Sequence, residues 1–132
     1  MSEKHRHDGP SSAGEGFEPY GLTVHLQPAP ADFDPRSFLK SLLEEIARGC
    51  EAAGATLIGH IKCFLAAGDH GLYCNLVSTR TGACCGGDEQ GALSCAHGCR
   101  LDLAVLVYGL PPASIDAIVR DALGRLLGAT WS

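Results

Sequence analysis

The sequence predicts an α+β domain: a two-layer sandwich in which a four-stranded mixed sheet carries two helices on one face. Three observations predict it. Four segments alternate apolar and polar residues, the period of half-buried strands. Two others repeat apolar residues at helical spacing. The order is strand, helix, strand, strand, loop, strand, helix, and each element has one apolar face, which two layers bury economically. A chain of 132 residues, 45% of them hydrophobic, can fill one such core and is short for two ordinary domains.

The elements follow in order. Residues 1–19 read as a disordered tail, because Ser, Gly, Glu, Pro and His dominate and little there can be buried. Residues 20–132 form the single domain. Leu22, Val24 and Leu26 alternate with Thr23, His25 and Gln27, a short strand that Pro28-Ala29-Pro30 ends. Asp34 then offers a helix cap and Pro35 the first helical position. Phe38, Leu39, Leu42, Leu43, Ile46, Ala47 and Cys50 make one apolar stripe, and Gly54 is placed to end the helix. In the next strand Leu57, Ile61, Cys63 and Leu65 share a face, with His60 and Lys62 opposite. Leu72, Cys74 and Leu76 share a face of the third strand, with Tyr73 and Asn75 opposite. Gly68-Asp69 suits a tight hairpin turn. Counting out from it pairs Ala67 with His70, Leu65 with Leu72, Cys63 with Cys74 and Ile61 with Leu76. A one-residue slip would set each apolar residue against a position of the polar face. The hairpin, added to a strand–helix–strand crossover, makes the sheet mixed. Leu101, Leu103, Val105 and Val107 form the inner face of the fourth strand. After Pro111-Pro112, Ile115, Ile118, Val119, Ala122, Leu126 and Leu127 stripe the second helix, and Trp131 is placed to fold back on the core.

Thr81–Cys99, TGACCGGDEQGALSCAHGC, fits none of these patterns. It puts four cysteines and a histidine in a glycine-rich loop spanning residues 80–100. Loops this long without secondary structure are uncommon in small domains and are usually functional or disordered. Cys84 and Cys85 are adjacent, and Cys95 and Cys99 are one helical turn apart. In an extended segment, Cys95, His97 and Cys99 would point one way. Cys84, Cys85, Cys95, His97 and Cys99 are therefore the candidate ligands of a zinc ion or an iron-sulfur cluster. The spacing matches no pair of CxxC knuckles. The alternative chemistry is redox, with Cys84/Cys85 or Cys95/Cys99 cycling. The plain reading is a surface loop with inert thiols. Cys63, Cys74 and Cys50 read as small hydrophobes of the core, with a Cys63–Cys74 cross-strand disulfide as the alternative for the first two.

Other features narrow the function. Seven cysteines, an odd number, with no apolar leader segment, fit a cytoplasmic chain better than a secreted disulfide framework. A net charge of -5 with no basic stripe argues against nucleic acid, and no apolar run reaches a membrane span. There is no P-loop, no GxGxxG after a strand, no nucleophile elbow and no HExxH. Phe64, Leu106, Tyr73 and Tyr108 fall on the sheet face that the helices leave open, which fits a protein partner or a second copy of the chain. The sequence thus favours an accessory or interaction protein, a subunit of a larger assembly, over an enzyme. The enzymatic alternative places an acid–base pair of His60 and Asp102 on that face.

Overall fold

The computed structural model describes residues 3–6 and 19–128. It is an α+β fold with two helices and an antiparallel sheet. In chain order the elements are strands β1 (Glu3–Arg6) and β2 (Tyr20–Leu26), helix α1 (Pro35–Ala52), strands β3 (Leu57–Ala67), β4 (His70–Leu76), β5 (Ala83–Gly87) and β6 (Cys99–Tyr108), and helix α2 (Pro112–Leu127). The sheet runs β1-β2-β6-β3-β4-β5, with every neighbouring pair antiparallel.

Local chemistry places α1 where the sequence does. The Asp34 carboxylate accepts from the Arg36 peptide N–H at 3.2 Å and from the Ser37 hydroxyl at 2.8 Å, and Pro35 opens the first turn. The β3–β4 hairpin has the predicted register, Ala67 opposite His70 and Cys63 opposite Cys74. Gly68 takes a φ of +61°, which the two-residue turn requires.

Three expectations are corrected. Five strands lie between residues 20 and 108, and Glu3–Arg6 adds a sixth at the edge, so the sheet exceeds the four strands predicted. Residues 1–2 and 7–18 of the expected tail, and Trp131, lie outside the described residues. Nor is the sheet mixed. The chain from β2 through α1 brings β3 back parallel to β2, but β6 inserts between them and runs antiparallel to both. The third correction is a β-bulge at Gly59. Ile58 pairs with Val107 and His60 with Leu106, so one extra residue sits between them. Glycine is suited to it, because a Cβ there would stand 3.1 Å from the Leu106 carbonyl oxygen. The extra residue reverses the alternation before it. Leu57, expected inside, is 59% exposed, while Ile58 packs against the core.

All fully buried strand residues lie on one parity. Leu22, Val24, Ile61, Leu65, Leu72, Leu76, Leu101, Leu103 and Val105 share a core with Leu39, Leu42, Ile46, Ile115 and Val119 of the helices. The helices approach closely at Gly49, where a Cβ would meet Ile118 Cγ2 at 2.8 Å. On the opposite parity Lys62, Phe64, Tyr73 and Asn75 are exposed, while Asp102, Ala104, Leu106 and Tyr108 of β6 are half-buried. The edge strand β5 is tied to α1: Arg36 donates to the Gly87 carbonyl at 3.0 Å, and Glu44 accepts from the Ala83 N–H at 3.2 Å. Side chains on edge groups hinder pairing with another chain's strand.

Candidate functional site

Five of the seven cysteines fall into two groups that the fold builds. The first is a row across three strands of the inner face. Cys63 on β3 lies opposite Cys74 on β4, and Cys74 lies opposite Cys85 on β5. Cys74 and Cys85 are joined by a disulfide, with Cα atoms 4.0 Å apart. Cys63 stays a thiol beside them, 4% exposed. Burial pushes that thiol up to about 12, against a smaller lowering by the Cys74 peptide group.

The second group lies in the segment after β5 and at Cys99, the first residue of β6. Residues 88–98 are irregular but fixed. Asp88 Oδ1 accepts from the Leu93 N–H at 2.9 Å, and the Cys95 carbonyl accepts from the N–H groups of Ala29 at 2.9 Å and Gly98 at 3.0 Å. This segment closes one end of the core, into which Leu93, Cys95 and Cys99 are buried. The Cys95 and Cys99 thiols hydrogen-bond to each other. The bond lowers the pKa of Cys95, and burial opposes it. The same bond and burial raise the pKa of Cys99. Of the two sulfurs, Cys95 is the more acidic.

The structure does not bring the five predicted metal ligands together. Cys84 and Cys85 are consecutive in a strand, so they point to opposite faces. Cys84 is exposed, and Cys85 is bonded to Cys74, which is not the free core hydrophobe expected. His97 is exposed, and Cys95 and Cys99 turn into the core. Among the described residues no group of three or more His, Cys, Asp or Glu is placed to hold a metal ion. The vicinal pair Cys84/Cys85 is not a dithiol, whereas Cys95/Cys99 is. Sequence reasoning missed the Cys74–Cys85 bond because it read Ala83–Gly87 as loop. The available signal was the equal spacing of 63, 74 and 85, which keeps all three on one face once β5 is a strand.

The acid–base pair on the outer face does not form. His60 pairs with Leu106, while Asp102 pairs with Phe64, four residues along β3. Asp102 instead accepts from the Thr23 hydroxyl at 2.8 Å and from Arg100 Nε at 3.2 Å. Burial, and then the charge of Lys62, lower the pKa of His60. Beside Asp102 the outer face holds a shallow depression of about 510 Å3, walled by Phe64, Tyr73, Lys62 and Asn75 over Ala104. No helix of the described residues is long and apolar enough to cross a membrane.

Comparison with protein-family models, curated proteins and solved structures finds no match to this chain.

Proposed function

We propose that this chain is a small thiol-redox protein whose reactive group is the Cys95–Cys99 dithiol. The observation that carries the reading is a pair of free cysteines set side by side at the turn that the Gly98 N–H closes onto the Cys95 carbonyl, with the pKa of Cys95 lowered by its bond to Cys99. A lowered-pKa sulfur beside a resolving thiol is the arrangement of peroxide-sensing cysteines. The Cys95 thiolate attacks a hydroperoxide oxygen, giving a sulfenic acid and an alkoxide that water protonates. The Cys99 thiol then attacks the sulfenic sulfur, water leaves and the Cys95–Cys99 disulfide forms. The pair is buried under the exposed residues Ser94, Ala96 and His97, so reaction with a small oxidant requires this turn to open.

The test is peroxide titration of the full chain, followed by alkylation and peptide mass analysis. The reading expects a Cys95–Cys99 disulfide at low peroxide. In Cys99→Ser the sulfenic acid should persist at Cys95 and be trapped by dimedone. A chain purified with stoichiometric zinc, released on Cys99→Ser, would favour the metal reading instead. If Cys95 is left unmodified by peroxide, the redox reading falls.

The finer architecture is a two-layer sandwich of the core strands and both helices. Burial of a single strand parity supports it. That arrangement leaves the outer face to a protein partner or a second copy. The exposed pair Phe64 and Tyr73, directly opposed on β3 and β4, favours this accessory role alongside the thiol chemistry.

A further inference from the structure

A second set of sulfurs, independent of Cys95 and Cys99, has a chemistry of its own. Cys63, Cys74 and Cys85 occupy corresponding positions on three consecutive strands, all on the inner parity. Cys74 is the middle one, and its disulfide points to Cys85. Thiol–disulfide exchange needs an attacking sulfur in line with the bond that breaks. Cys63, a free cysteine on the far side of Cys74 from Cys85, stands on the side from which that attack comes, because the register sets the three side chains in a row. We propose that Cys63, Cys74 and Cys85 form an intramolecular exchange relay in which Cys74 is the shared sulfur.

The step is balanced without any external oxidant. The Cys63 thiol gives up its proton, and its sulfur attacks Cys74 Sγ. The Cys63–Cys74 bond forms as the Cys74–Cys85 bond breaks. Cys85 leaves as thiolate and takes up a proton. One disulfide and one thiol stand on each side of the reaction.

Two features make the isomers close in free energy. The existing bond joins residues separated by 11 in sequence. Cys63 and Cys74 are also separated by 11. The chain-entropy contribution of the cross-link depends on loop length, so it is the same for both. Both bonds also join directly opposed residues of antiparallel strands that stay paired. What the exchange changes is position. Cys63 and Cys74 are buried in the central sheet, whereas Cys85 is half-buried on the edge strand. The relay therefore moves a reactive thiol from the core to the edge, within reach of small thiols and disulfides. Burial of Cys63 disfavours its thiolate and makes the step slow, not absent.

The sequence provides a direct readout. No Lys or Arg lies between Cys63 and Arg80, so trypsin releases 63–80 with Cys63 and Cys74 together, and 81–100 with Cys85. The Cys74–Cys85 bond links the two peptides; a Cys63–Cys74 bond lies within the first. The experiment incubates the native full chain with N-ethylmaleimide at mildly alkaline pH, quenches with acid and maps the tryptic peptides over time. The relay expects slow alkylation of Cys85, matched by loss of the linked pair and gain of an internally bonded 63–80. In Cys63→Ala the linked pair should persist. As a second arm, Cys85→Ala oxidised with glutathione disulfide should close the bond within 63–80. The proposal is overturned if the wild-type linked pair survives prolonged alkylation intact, or if Cys85 is alkylated while Cys63 is alkylated too. The wild-type arm decides even where Cys85→Ala fails to fold. Its peptides also separate this result from the Cys95–Cys99 reading, whose disulfide lies wholly within 81–100.

Discussion

Removing the Cys74–Cys85 bond should destabilise the domain by an amount that loop length sets. The cross-link spans a sequence separation of 11, a closed loop of 12 residues counting both ends. The loop-closure relation then gives about 9.5 cal/mol/K of denatured-state entropy removed, or about 2.8 kcal/mol at 25 °C. Replacing both cysteines with alanine adds the loss of a buried sulfur at Cys74, which is 1% exposed. One deleted group of that size costs about 1 kcal/mol. The double variant Cys74→Ala/Cys85→Ala should thus lose roughly 4 kcal/mol, a large part of the 5–15 kcal/mol that ordinary domains have. Urea unfolding of three samples separates the two contributions: oxidised wild type, wild type in phosphine reductant, and the double variant. Reduction alone should lower the stability by the loop contribution and raise the urea slope, because the uncrosslinked denatured chain is more expanded. Exchange with Cys63 leaves this expectation unchanged, since both isomers close loops of equal length. A difference below about 0.5 kcal/mol between oxidised and reduced wild type would refute the loop-closure argument, because the bond would then constrain little in the denatured chain.

Three further outcomes are expected. Leu103→Ala, on β6 opposite both Leu22 and Cys63, should cost about 2–5 kcal/mol in the same assay, as a large-to-small change in a filled core. Stability should fall as pH rises from 9 towards 11, because burial raises Cys50 from 9.0 to about 11 and Cys63 from 9.0 to about 12. The unfolded chain loses these protons first, so it binds fewer and stability declines, by on the order of 1.4 kcal/mol per pH unit for each thiol; in Cys50→Ala the decline should be visibly shallower. Phe64→Glu should abolish association of the chain in light scattering, with an unfolding midpoint close to wild type, whereas a wild-type chain that is monomeric at all concentrations and captures no partner would remove the case for the outer face as an interface.

Much of the architecture was legible because alternation and helical spacing survive wherever one face is buried. The β3–β4 register followed from Gly68-Asp69 and three apolar pairs, since only one register keeps them on one side. What was not legible has particular causes. The Gly59 bulge is a single inserted residue, invisible to a period-two reading, and it turns Leu57, expected inside, to the exposed face. Strand β5 reads ACCGG, a sequence poor in the branched and aromatic residues that mark strands. It is a strand because β4 offers an edge and α1 supplies Arg36 and Glu44 to its terminal peptide groups, both long-range facts. The candidate site was half legible for the same reason. Cys95 and Cys99 were paired by their own spacing. The partner of Cys85 depended on the register of a strand that had not been recognised.

Two neighbouring glycines of β5 test whether this edge is understood, because the same substitution should act in opposite directions. Gly86 lies opposite Tyr73, and a Cβ there would stand 2.5 Å from the tyrosine hydroxyl. That oxygen is the far end of a side chain that is 55% exposed, so the ring can swing into solvent at little cost. The φ of Gly86 is not in the left-handed region, so alanine fits the strand and narrows the unfolded ensemble. Gly86→Ala should therefore be neutral or stabilising, by up to about 1 kcal/mol. Gly87 has a φ of +85°, and its Cβ would stand 2.9 Å from the Gly71 carbonyl oxygen, a backbone atom that cannot swing away. Gly87→Ala should cost about 1–3 kcal/mol from the backbone conformation, besides disturbing the Arg36 bond to its carbonyl. Urea unfolding of the two single variants decides it. If Gly86→Ala is the more damaging, the Tyr73 ring is held where it lies, and the outer face is a packed surface rather than an open one.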